Sequence, residues 1–90
     1  MTDRELLELA AKAAGIDGWW GQPYLSFIKR SGGPWNPLTD DGDALRLAAK
    51  LYLWEAVRLA HRDVSDVVDI YAATRRAIVR AAAEIGKGMQ

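Results

Sequence analysis

The stretch LYLWEAVRLAHRDVSDVVDI, residues 51–70, decides how many strands the chain can form. The helix that enters it carries apolar residues at helical spacing, Ala44, Leu45, Ala48, Leu51 and Tyr52, with Arg46 and Lys50 outside. Extending that wheel puts Leu53 among the cations and turns Glu55 into the apolar stripe, so the pattern predicts a break at about residue 52. Beyond the break, LWEAVRL (53–59) is assigned to a strand, with a partner within DVSDVVDI (63–70). A short helix over EAVRLAHR (55–62) is the alternative, and both readings stay open.

Upstream, TDRE (2–5) has the form of a capping box, with Thr2 as N-cap and Glu5 three positions on. The first helix then places Leu6, Leu9, Ala10 and Ala13 on one face, with Glu8 and Lys12 in the favourable i,i+4 order opposite. Gly15 is the expected stop, with Ile16 as the apolar contact beyond it. Turn formers around Trp19 and Trp20, followed by YLSFIKR, predict a hairpin of strands near Gly18–Gly21 and over Tyr24–Arg30, closed by SGGP. The second helix starts at Thr39 or Asp40. Asp69 caps the last one, which places Tyr71, Thr74, Ile78, Ala81, Ala82 and Ile85 on one side and Arg76, Arg80 and Lys87 on the other. Gly86 and Gly88 end it.

The order is therefore α-β-β-α-β-β-α. Two hairpins cannot bury both faces alone, so the expected fold is α+β, a four-stranded, largely antiparallel sheet packed by three helices. The 90 residues make one small domain, 1–90, whose modest core makes self-association an expectation. There is no cysteine, which removes disulfides and thiolate metal sites. No run approaches the roughly 20 apolar residues of a membrane span and the N-terminus lacks a signal peptide's apolar core, so a cytoplasmic protein is expected. Net charge is zero, which argues against a general nucleic-acid binder. The distribution is uneven: residues 1–45 hold four basic and seven acidic side chains, residues 46–90 eight and five.

Three blocks, MTDRELLELAAKAAGI (1–16), WNPLTDDGDALRLA (35–48) and YAATRRAIVRAAAEIGKGM (71–89), resemble the phage ABA sandwich domain family, small proteins of tailed bacteriophages and prophages. They cover roughly half the chain and fall on its three expected helices in family order. The resemblance implies an α/β sandwich and a phage accessory protein acting inside a bacterium; it implies no catalytic residues. The chain departs from it in GWWGQPYLSFIKR (18–30) and in the Tyr52–Ile70 segment, which is shorter than in many relatives.

Candidate chemistry is sparse. Asn36, Asp40, Asp41 and Asp43 lie within eight positions, but Asp41 points away from Asp40 and Asp43 on the wheel, and a calcium loop's alternating oxygen ligands and distant glutamate are missing. The cluster reads as a helix start, with acidic side chains on the first turn. His61, the only histidine, stands near Asp63, Ser65 and Asp66 in an expected turn, a spacing that does not align a triad. SGGP lacks the lysine and helix start of a phosphate loop. No catalytic residue, metal ligand or cofactor site is assigned.

What remains is binding. Trp19 and Trp20 must point to opposite faces of a strand, so one packs inward while the other meets solvent, a helix or a partner. Trp35 and Trp54 add to an unusual tryptophan content, which is either core or interface. The expectation is a non-enzymatic accessory protein that binds a host protein, with an anti-defence or host-takeover role among its forms. Trp19, Trp20, Tyr24 and Phe27 would be apolar anchors, and Arg76 and Arg80 rim charges. One alternative is a nucleic-acid or nucleotide-binding module using the outward arginines of the last helix, Arg76 and Arg80; against it stands an ordinary solvated face, with Arg75 laying its stem over the core. The other is a homo-oligomer.

Overall fold

In the computed structural model the described residues are 1–21, 26–30, 32–62 and 69–89. They form α1 (Asp3–Ala14), β1 (Gly18–Gly21), β2 (Ser26–Lys29), α2 (Asp41–Leu51), α3 (Trp54–Arg62) and α4 (Ile70–Lys87). Among them the only sheet is the β1–β2 hairpin, so the four-stranded sandwich is not what this chain builds. The expected strand over residues 53–59 lies in α3; its expected partner within residues 63–70 lies mostly outside the described residues, and Ile70 opens α4.

The break at residue 52 is real, but it resets a helix instead of starting a strand. Tyr52 takes the left-handed conformation, φ 56° and ψ 46°, and its N–H donates to the Ala48 carbonyl. The Leu53 N–H donates to the same carbonyl at 2.8 Å, which satisfies the end of α2 and turns Leu53 into the core at 8% exposure. From there the phase restarts, with Leu53 buried, Ala56 and Val57 half-buried, and Trp54, Glu55, Arg58 and Leu59 outside. In a strand Leu53, Glu55, Val57 and Leu59 would share one face, burying a carboxylate beside three apolar groups. The helix separates them.

The other termini follow the local chemistry. Thr2 Oγ1 accepts from Glu5 N–H at 3.1 Å, while Thr2 N–H donates to Glu5 Oε1 at 3.4 Å. At the far end Gly15 sits at φ 70°, its N–H donating to Lys12 O and Ile16 N–H to Ala11 O at 2.8 Å. Asp40 caps α2 and Asp69 caps α4.

Among the described residues, seven of the fifteen buried apolar ones are alanine, so the core is thin and the helices must approach closely to fill it. The main packing is α1 on α4. Leu6, Leu7, Ala10, Ala11 and Ala14 are buried on α1, a stripe rotated from the expected one that leaves Leu9 and Ala13 half-exposed. On α4 the buried stripe is Ile78, Val79, Ala82, Ala83 and Gly86; Tyr71 and Ile85, expected inside, are exposed. Gly86 lies within α4 and does not end it; the glycine serves close approach, since a Cβ there would stand 2.0 Å from the Leu9 carbonyl oxygen. Backbone meets backbone at that point.

The hairpin pairs Trp19 with Ile28 and Trp20 with Phe27, antiparallel, and Trp35 N–H extends the ladder by donating to Phe27 O at 2.8 Å. Phe27 is buried with its ring edge-on to both Trp20 and Trp35, which seats the hairpin over α1.

The sign of one substitution tests the reset. Tyr52→Gly relieves a left-handed side chain and should raise stability by roughly 0.5–1 kcal/mol, seen as a higher unfolding midpoint in thermal denaturation. Glycine inside a continuous helix or strand would instead cost about the same amount, so a lower midpoint would contradict the left-handed turn.

Candidate functional site: an apolar groove between α2, α3 and α4

The reset at Tyr52 places α3 so that it shares a groove with α2 and α4. Its floor is Ala44, Val57 and Ile78; Leu45, Trp54 and Tyr71 stand around it, and the volume is about 310 Å³. Leu45 is 59% exposed, Trp54 49% and Tyr71 69%, an apolar concentration from three helices that the core does not use.

The charges near this groove are already paired. Arg75 closes one end, donating Nη1–H to Asp41 Oδ1 at 2.6 Å and Nε–H to the Leu38 carbonyl at 2.9 Å, with its side chain 17% exposed. It ties α4 to the start of α2, its stem along the groove wall. On α3, Arg58 donates to both carboxylate oxygens of Glu55. That hydrogen bond holds the exposed Glu55 carboxyl below its ordinary range and pushes Arg58 up. The groove therefore offers apolar contact, with one neutralised pair, Asp41 and Arg75, in its lining.

The residues assigned from sequence fall elsewhere and do not converge. Trp19 is 52% exposed. Trp20 turns the opposite way, onto α1, where its Nε1–H donates to Glu8 Oε1 at 2.8 Å and the Arg4 guanidinium lies 4.8 Å from its ring centre. Glu8 thus bridges Arg4 and Trp20, in place of the expected pairing with Lys12. Phe27 is 7% exposed and fills the hairpin's underside, so Trp20 and Phe27 are structural in this packing and present no free anchor. Tyr24 lies outside the described residues. Arg76 reaches the first turn of α1, donating to Asp3 at 3.1 and 3.4 Å, and Arg80 is exposed.

The acidic cluster serves local structure. Asp40 Oδ2 accepts from Asp43 N–H at 2.7 Å as the helix cap. Asp43, only 7% exposed, accepts Asn36 N–H at 3.0 Å and Arg46 Nη2–H at 2.7 Å, while Asn36 Oδ1 accepts Leu38 N–H. Asp41 goes to Arg75. The three carboxylates thus serve four hydrogen-bond donors and share none of them. His61 belongs to α3 and not to a turn; Asp63, Ser65 and Asp66 lie outside the described residues.

A scan against protein-family models finds no match, and neither curated proteins nor solved structures give one.

Asp43→Ala removes a buried acceptor from two donors and should lower stability by about 1–3 kcal/mol. Asp41→Ala, which loses a carboxylate largely in water, should cost about 1 kcal/mol or less. Denaturant titration of the two variants checks the order; equal losses would contradict a buried role for Asp43.

Proposed function

We propose that this chain is a non-enzymatic protein-binding domain whose partner lays an apolar, amphipathic segment into the groove between α2, α3 and α4. The observation that carries the reading is the convergence of exposed Leu45, Trp54 and Tyr71 on one concavity. Tryptophan and tyrosine supply large contact areas at low entropic cost and dominate binding hot spots. Helix-in-groove recognition uses such a surface, with anchors at i, i+3 or i+4 and i+7 of the incoming helix. The charged residues of the lining, Asp41 and Arg75, pair with each other, which favours a neutral apolar face over a polyanion.

This moves the anchor from the hairpin to the helices. It also weakens the nucleic-acid alternative, since Arg75 and Arg76 are engaged with Asp41 and Asp3 and leave Arg80 as the exposed arginine of that helix. What supports a bacterial host protein as the partner, in the host cytoplasm and with an anti-defence or host-takeover role, is the resemblance of the three helix blocks to a phage family. Among the described residues no helix is long and apolar enough to cross a membrane.

The test is capture from nuclease-treated bacterial lysate, using wild type, Leu45→Lys, Tyr71→Lys and Trp19→Ala side by side. The expected result is a discrete protein retained by wild type and Trp19→Ala and lost with either lysine variant. Loss with Trp19→Ala alone would return the site to the hairpin. Sedimentation over a range of concentrations distinguishes a foreign partner from a second copy of this chain.

A further inference from the structure

The opposite side of α2 carries a second concavity of different chemistry. A cavity of about 200 Å³ has Ile16, Trp35 and Leu47 in its wall, and three cations reach it from two elements: Lys29 of β2 and Arg46 and Lys50 of α2. No carboxylate lines it among the described residues. Arg46 is already paired, its Nη2 2.7 Å from Asp43 and 4.0 Å from Asp40, so its guanidinium is held in place before any ligand arrives. Lys29 and Lys50 form no ion pair with a described residue.

Lys29 and Lys50, two like charges without a counter-ion among the described residues, stand beside an apolar wall, and an anion with an apolar body answers both features. We propose that this cavity is a binding site for a phosphomonoester carried on a small apolar or aromatic group. The dianion sits between Lys29 and Lys50 with Arg46 as the preorganised donor, and the apolar body lies against Ile16, Trp35 and Leu47. Arginine forks onto phosphate oxygens while lysine supplies point charges, a pairing suited to this geometry. The volume admits a ring and a phosphate and little more. This inference is independent of the apolar groove, which shares no lining residue with the cavity.

The probe is phenyl phosphate, followed by two-dimensional amide and indole NMR, with inorganic phosphate and phenol as the separated halves. Saturable shifts are expected at Ile16, Lys29, Leu47 and the Trp35 indole, with a Kd on the order of 1 mM for a ligand of that size. Each half alone should bind at least about tenfold more weakly. Lys29→Gln and Lys50→Gln, both folded by their unfolding midpoints, should each weaken phenyl phosphate about tenfold, the worth of one charge-assisted contact. Lys87→Gln, at the far end of α4, should leave it unchanged. Shifts that do not saturate, or equal weakening by Lys87→Gln, would overturn the site. A phosphotyrosine peptide assigns the source: affinity well above that of phenyl phosphate means a phosphorylated segment, equal affinity a free phosphomonoester, and either supports the cavity.

Discussion

The left-handed turn at Tyr52 is the constraint on which the rest of the arrangement depends. Without it α2 would continue in phase, Leu53 would join Arg46 and Lys50 in water, and Glu55 would face the core. One residue at φ 56° removes both conflicts. The Ala48 carbonyl takes two donors, Leu53 turns inward, and a second helix leaves with its apolar side matched to α4. The groove is a consequence of that angle, since Trp54 and Val57 reach it only because α3 is a helix starting where it does.

A thin core shapes everything around the turn. Alanine-rich faces on α1 and α4 bring the backbones together at Leu9 and Gly86, where no Cβ fits. Such packing leaves few large side chains inside, and the large ones collect at the margins. Phe27, Trp20 and Trp35 form an edge-to-face row under the hairpin, while Trp54, Tyr71 and Leu45 gather around the groove. The two sides of α2 differ accordingly. One presents Leu45 to an apolar concavity with paired charges near it, and the other presents Arg46 and Lys50 to a cavity where two lysines lack counter-ions among the described residues.

The features legible in the sequence were those governed by neighbours a few positions apart. The Thr2–Glu5 capping box, the Gly15 stop, the Asp40 and Asp69 caps and the first hairpin all rest on such local chemistry, and each is present. The break at residue 52 was also legible from the wheel conflict. Of the two readings open beyond it, the chain adopts the short helix and not the strand: Leu53, Ala56 and Val57 repeat at i, i+3 and i+4, a helical spacing restarted in a new phase. A tyrosine at a position that favours glycine gave no local signal for the reset. The rotated stripes of α1 and α4 had the same origin: with alanine on several sides of each wheel, hydrophobicity alone does not say which side meets the neighbour. The site was less legible still. The linear pattern puts Trp54 in a strand and Tyr71 in the core, so nothing in it brings them to Leu45.

The central claim is that residues 54–62 are a helix set in phase by a left-handed Tyr52. Carbon-13 secondary chemical shifts of the α and β carbons from Lys50 to Arg62 test it most directly. The account predicts helical shifts on both sides of Tyr52, with an interruption at Tyr52 itself. Extended-type shifts from Leu53 to Leu59 would contradict it, restore the strand, and remove the groove with it.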